Sequence, residues 1–435
     1  MKFYLQENNM GKKRFIVLAG ALLCFLSTGW LQAEEWDLKK CVEIGLKKNP
    51  AIKAATKGIE GAEARVKQSR SGYYPYLFAE TDYTRYNSPA SGSSLSSLNS
   101  SPSDLTSYYL GLSQNIYDFG RREYKVLASQ EDLKAYQWTL RDVRLSVIDA
   151  VRQAYYGVLL AQRVVKLRQE DLEKTKEHYK QAQGFYQVGL KSKIDVTQAE
   201  VTVISSQKNL LQAENNVQSS RVVLATTMGL EQLQGITLRD DLDIDRVNWL
   251  LDDLTKEAME KDPILNRLKV LIKYWEVQEQ AAKREFWPTL TGTAKYGRNM
   301  GGNYDNDETW NLGLQLNIPI FSGFLKENRL AEIRAVLSQA KSNEQIQILQ
   351  VLNNLQNLYL SLKLAEKQID VAKESLRSAR ENLDLAEGRY KAGVGAMLDV
   401  TDARNSYLQA ETDYNQALYA YTSSRYKLER AVGRE

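Results

Sequence analysis

The sequence predicts an α+β membrane protein, made by internal tandem duplication, whose strands must be pooled between copies of the chain into a β-barrel. Three observations carry that prediction. Asn49-Pro50 matches Asp262-Pro263, and Tyr74-Pro75 matches Trp287-Pro288, both at an offset of 213 residues. Two long stretches, 103–262 and 320–435, contain no proline and repeat apolar residues every three or four positions. Between the helical tracts lie segments of period two, about ten residues long, which is the reach of a tilted transmembrane strand.

The chain opens with a leader. Lys12-Lys13-Arg14 precede an apolar run from Phe15 to Leu26, then Ser27, Thr28 and Gly29, with a small-residue cleavage site after Ala33. This is the pattern of a secretory signal peptide over 1–33. The polar front Met1–Asn9 is unusual for one, so Met10 is a second candidate start. Leu23 stands before Cys24, where a lipidated cysteine would follow a small residue, so lipidation is not favoured. The apolar run is about 12 residues, and a spanning helix needs about 20.

The first repeat is expected over 34–229. Its strands are expected at Tyr76–Tyr86 and 106–117; in the latter, Tyr108, Leu110, Leu112 and Ile116 alternate with Ser107, Tyr109, Gly111, Ser113 and Asn115. Proline breaks helix interiors, so the tract after them supports one helix from about Glu123 to Gln183, roughly 90 Å at 1.5 Å per residue. It ends at Tyr186-x-Val188-Gly189, and a second helix resumes near Asp195. Val196, Ala199, Val203, Ser206, Leu210, Ala213, Val217, Ser220 and Leu224 then alternate steps of three and four, the 3.5-residue period of a coiled coil.

A linker, 230–253, leads to the second repeat, 254–435. Its strands are expected at Thr289–Tyr296 and 309–318, where Trp310, Leu312, Leu314, Leu316 and Ile318 alternate with polar or small residues. Asn87–Asp104 and Asn299–Glu308 are Ser-, Gly- and Asn-rich and are expected as hairpin tips. The long helix runs from about Lys326 to Glu387 with a seam of Leu362, Ala365, Ile369, Ala372, Leu376, Ala379, Leu383, Ala386 and Tyr390. Tyr390-x-Ala392-Gly393-x5-Asp399-Val400-x2-Ala403 repeats the first-copy motif at an offset of 204, and Val400, Ala403, Tyr407, Ala410, Tyr414, Ala417 and Tyr421 continue the heptads.

Composition excludes several functions. Lys plus Arg is 58 and Asp plus Glu 54. That near balance gives no basic surplus for nucleic acid. Cys24 and Cys41 are the only cysteines, so there is no disulfide scaffold. A histidine-based site could use only His178, which lies among Lys176, Glu177 and Lys180 and is expected to be solvated. Ser205-Ser206-Gln207-Lys208 fits S-x-x-K but stands mid-heptad without companions, and there is no Gly-rich phosphate loop or paired-cysteine metal motif. No enzyme, metal or cofactor is expected.

Four amphipathic strands could form a small soluble sheet, but nothing in the chain remains to cover its apolar face. In lipid, every backbone group needs a partner and strands must close. Four strands cannot close, whereas three copies give twelve.

Here the chain resembles the TolC family of outer-membrane efflux proteins over residues 36–433. The resemblance rests on the duplication, the Asn49-Pro50 start, the Tyr74-Pro75 and Trp287-Pro288 corners and the repeated aromatic-x-x-Gly-x5-Asp-Val motif. It implies a homotrimer in the outer membrane of a Gram-negative bacterium: a 12-stranded barrel with four strands per chain, continued by a long α-helical coiled-coil barrel in the periplasm. Residues 230–253 would form an equatorial linker. The partners implied are outer-membrane lipid, a periplasmic adaptor (membrane fusion) protein and an inner-membrane pump, in a tripartite efflux or type I secretion system.

The resemblance also assigns residues. Asp399 and Asp402 match an acidic pair ringing the tunnel entrance, where crowded like charges attract cations. Tyr390 and Asp195 match residues that latch neighbouring helices. The family's arginine is absent, since its position is Gly395, and Lys191 stands at the equivalent place in the first copy. Val188, Gly189, Leu190, Ala392, Gly393 and Val394 match the segments that meet adaptor hairpins. Asp195 and Asp399 also suit helix N-termini, and the glycines suit helix ends. The competing function is a pore-free, envelope-spanning coiled-coil structural protein.

Overall fold

The computed structural model describes residues 34–86, 103–233, 235–242, 245–301 and 304–435. The expected signal peptide, with Met10 and Cys24, lies outside them, as do residues 87–102 of the first hairpin tip. In chain order the elements are β1 (Glu34–Trp36), α1 (Leu38–Lys48), α2 (Pro50–Ser69), β2 (Tyr76–Tyr86), β3 (Ser103–Tyr117), α3 (Arg121–Gln187), α4 (Lys193–Met228), β4 (Ile236–Leu238), α5 (Leu251–Lys261), α6 (Pro263–Arg284), β5 (Thr289–Gly301), β6 (Tyr304–Asn317), α7 (Leu325–Lys391) and α8 (Met397–Ala431). The second copy repeats the helix, hairpin and helical-hairpin order of the first.

The two X-Pro pairs start helices. Pro50 and Pro263 sit in first turns, where a missing N–H costs nothing. The residues before them cap: Asn49 Oδ1 accepts from the Ala51 amide at 2.8 Å and Asp262 Oδ1 from the Leu265 amide at 2.7 Å. The long helices α3 and α7 have 67 residues each, or about 100 Å. Both begin and end a few residues beyond the expected bounds. The heptad seams are buried or half-buried throughout, from Val196 to Leu224 in α4 and from Val400 to Tyr421 in α8.

Strands β2, β3, β5 and β6 form one antiparallel sheet in that order, so β3 and β5 join the two repeats. Its register aligns Leu77, Leu112, Ala294 and Leu312 in one row and Ala79, Leu110, Tyr296 and Trp310 in the next. This face is bare: Trp310 is 76% and Leu312 78% exposed. The alternate rows carry Glu80, Tyr109 and Thr309. One expectation fails here. Asn299–Glu308 is not a loop, because β5 runs to Gly301 and β6 starts at Tyr304. Cross-strand pairs such as Arg298 opposite Glu308 carry the ladder through polar sequence. No helix among the described residues is long and apolar enough to cross a membrane.

Strand passes to helix through a strained corner. Phe119 and Phe324 both have positive φ, 55° and 63°. In the first copy Arg122 holds the corner: it pairs with buried Asp118 at 2.9 Å and donates to the carbonyls of Gly72, Asn115 and Ile116.

The main core lies midway along the helices. Tyr155, Leu159, Leu224, Leu355, Leu362 and Tyr421 pack there with Cys41, Leu242 and Leu254. The segment between the repeats is tied across it by tyrosines. Tyr155 Oη donates to the Arg239 carbonyl at 2.7 Å and Tyr421 Oη to the Asp245 carbonyl at 3.2 Å. Helix α5 begins at Leu251, inside the expected linker 230–253.

Two predictions follow from packing. At Gly297 an added Cβ would lie 1.9 Å from the Tyr108 carbonyl oxygen. Gly297→Ala therefore forces β3 and β5 apart, and membrane-assembled protein, measured as heat-modifiable oligomer on gels, should fall well below wild type. Burial pushes the Cys41 thiol up to about 12, with the charges of Asp37 and Asp241 adding to the shift. The mature folded protein should thus resist maleimide at pH 7.5 and react only in denaturant.

Candidate functional site at the hairpin turns

Each long helical hairpin reverses at a glycine. Gly189 and Gly393 have φ of 76° and 79°, a region closed to most side chains but open to glycine. The following amides close the helix end: Leu190 N–H donates to the Phe185 carbonyl at 2.8 Å, and Val394 N–H to the Arg389 carbonyl at 3.1 Å. The turn residues Val188, Leu190 and Val394 are strongly exposed, as are Ile194 and Leu398 just beyond them. Ala392, Gly189 and Gly393 are also exposed. The two turns together offer a small apolar surface.

The acids at these turns act first as caps. Asp195 Oδ2 accepts from the Ser192 amide at 3.1 Å and from its hydroxyl at 2.8 Å. Asp399 Oδ2 accepts from the Ala396 amide at 3.3 Å. Asp399 and Asp402 are three residues apart on α8, and both are exposed. Neither meets a cation among the described residues.

Tyr390 is fully buried, in a cluster with Ala182, Ala199, Met397 and Val400. Its ring lies edge-on to Phe185 at 5.9 Å. Its hydroxyl has no hydrogen bond among the described residues. Burial, and then the Asp195 charge, hold it above the usual tyrosine range. Lys191 joins the two turns: its Nζ donates to the Gly395 carbonyl at 3.0 Å and lies 5.6 Å from the Tyr390 ring centre.

Two buried polar links higher on the helices were not expected. His178 is 4% exposed rather than solvated. Its Nε2 lies 3.5 Å from Glu387 Oε1 on α7. The physical reason is position on the seam: Leu167, Asp171, Thr175, His178 and Ala182 are all buried along one stripe of α3, and the neighbouring charges lie on other faces. That heptad step was the signal available in sequence. The second link is Arg404 on α8, which pairs with Asp171 on α3 at 3.1 Å, both side chains at least nine-tenths buried. Burial lowers the Arg404 pKa, and the Asp171 charge opposes that shift. The spacing Val400, Arg404, Leu408 places this arginine inside an apolar stripe. Beside these groups is a groove of about 670 Å³ lined by Lys174, Arg380, Asp384, Glu387 and Arg404.

The family model described as outer membrane efflux protein matches residues 42–230 and 254–434. The chain belongs to the outer membrane efflux protein family. The match falls in two blocks, separated by residues 231–253. As a member it is an outer-membrane channel protein that reaches into the periplasm, and it is not an enzyme. The outer membrane protein TolC of Escherichia coli is 23% identical over 97% of this chain and 86% of its own length. The toluene efflux pump outer membrane protein TtgC of Pseudomonas putida is 23% identical over 93% of this chain and 84% of its own. Among solved structures, the outer-membrane channel OprN superposes with a TM-score of 0.79 at 19% identity, covering 92% of this chain and 90% of that one. The Campylobacter jejuni CmeC channel gives 0.75 at 22% identity, covering 91% and 85%. At these identities the likeness is one of fold.

Removing half of a buried ion pair strands a charge. Asp171→Leu in this efflux protein should therefore cost about 3 kcal/mol in chemical denaturation, and Asp171→Leu/Arg404→Leu should recover most of it. Tyr390→Phe removes an unbonded hydroxyl, so thermal stability should stay level or rise.

Proposed function

We propose that three copies of this chain form the exit duct of a tripartite efflux pump or type I secretion system, passing small molecules or proteins from the periplasmic adaptor to the outside. The carrying observation is the sheet with two open edges. Among the described residues β2 pairs only with β3 and β6 only with β5, while one face is apolar. Pairing β6 of one copy with β2 of the next satisfies both edges, and three copies make twelve strands with polar rows lining a lumen. Exposed apolar positions on the outer helices support the same assembly. Ile204 and Leu211 on α4, and Leu364, Val371 and Leu385 on α7, stand at heptad spacing without cover. α4 of one copy and α7 of the next can bury one another. Transport is passive, with energy supplied by the pump partner, since the sequence has no nucleotide site.

The turns form the periplasmic end of this duct. There Asp399 and Asp402 from three copies make an acidic mouth that admits cations first. Tyr390, Asp195 and Lys191 form the latch, with Lys191 on the Gly395 carbonyl standing in for the family's arginine. Val188, Gly189, Leu190, Ala392, Gly393 and Val394 meet the adaptor hairpins. The exposure of the apolar members supports this, because a surface of that kind left bare at the end of a polar rod needs a partner.

Single-channel conductance of the detergent-purified mature protein in a planar bilayer tests the proposal. A small cation-selective conductance is expected, with selectivity reduced several-fold in Asp399→Ala/Asp402→Ala. Folded, oligomeric protein that never conducts, in wild type or variant, would favour a pore-free spacer. Leu211→Glu/Val371→Glu should leave the chain monomeric by light scattering.

A further inference from the structure

The far end of the helices from the turns holds a second polar site. Where β5 and β6 run into the helical part, a cavity of about 380 Å³ is lined by Arg121, Lys326 and Arg329, with Thr289, Asn317 and Trp287. Thr289 and Asn317 are cross-strand partners, out of step with the apolar pair Leu290 and Leu316. The cavity therefore opens on the polar side of the sheet. Its three cations face one carboxylate, Glu285, which pairs with Arg329 at 3.3 Å. Arg121 uses one N–H on the Glu285 carbonyl, at 3.1 Å, and its Nε is buried without a hydrogen bond. Lys326 makes no hydrogen bond or ion pair among the described residues. The amino-terminal turns of α3 and α7 border the same space; Phe324 before α7 offers no side-chain oxygen, whereas at α3 Asp118 Oδ2 accepts from the Arg122 amide at 3.1 Å. The α7 helix end, an unsatisfied guanidinium N–H and an unpaired ammonium converge on a cavity whose lining residues include one carboxylate, Glu285, while Glu123 and Glu327 lie in the two first turns outside that lining.

We infer that this cavity binds an oxyanion group of the phosphate or carboxylate class. Where the ligand comes from rests on the duct proposed above. In a closed barrel the polar side is the lumen, and three cavities make a basic collar at the junction of barrel and helices. An anionic group on passing cargo would dwell there, at a site opposite in sign to the acidic turns. The same chemistry is offered by an anionic lipid headgroup reaching over the barrel rim.

The test is a titration of the detergent-purified mature protein with inorganic pyrophosphate at constant ionic strength, followed by calorimetry and thermal melting. Saturable binding with a rise in Tm is expected. Lys326→Gln/Arg329→Gln should weaken it at least tenfold, and Glu285→Gln should tighten it by removing the competing carboxylate. Absent binding, or equal binding by wild type and the double variant, overturns the inference. Repeating the titration in nanodiscs of phosphatidylcholine with or without phosphatidylglycerol separates the sources. Competition by phosphatidylglycerol assigns the site to a headgroup, and its absence assigns it to soluble anions. Conductance of the same preparation keeps the two proposals apart. A conducting protein that ignores pyrophosphate sinks the collar alone, and a binding protein that never conducts sinks the duct alone.

Discussion

Peptide groups in lipid have no water to turn to, and β2 and β6 each present one unpaired edge. The rest of the molecule is arranged around that constraint. Strands of 11 to 15 residues are long enough to cross the apolar layer, and their register puts Leu110, Leu112 and Leu290 of the central strands on the face that carries Leu312, Leu314 and Leu316. A soluble protein would blunt such edges or cover such a face. Among the described residues this one leaves both open. The strained backbone at Phe119 and Phe324 lies just before helices about 100 Å long, with three residues between β3 and its helix in the first half and seven between β6 and its helix in the second.

The two halves of the chain repeat one order of elements, and differences between them supply polar contacts across the hairpins. Arg404 stands where the first copy has Glu200, and Asp171 where the second has Ser375, so their ion pair forms only on one side of the pseudo-repeat. His178 likewise stands where the other half has Asn382, and Glu387 where it has Gln183. Lys191 and Gly395 are equivalent positions that touch one another. Buried polar contacts contribute little net stability compared with apolar packing, yet they penalise wrong partners strongly. That suits two hairpins whose apolar seams are otherwise nearly interchangeable.

Much was legible in sequence because period reports environment. Steps of three and four fixed the seams of α4, α7 and α8, and period two fixed β3 and β6. The misreadings share one cause. Asn299–Glu308 looked like a loop by composition, but hydrogen bonds to β5 and β6 override weak local propensity. His178 looked solvated from its immediate neighbours, but on a helix those neighbours point elsewhere and the residues three and four away decide burial.

By itself the sequence determined the repeated motifs, the two periodicities, the glycine turns and the family to which the chain belongs. These depend on local patterns that any copy of the chain carries. Tertiary structure alone decided which seam positions meet across hairpins, that Lys191 reaches Gly395, that Tyr390 lies buried with an unbonded hydroxyl, and that Arg121, Lys326 and Arg329 gather at one cavity. Those residues are far apart in the chain, and no period or motif encodes the distance between two helices that only packing brings together.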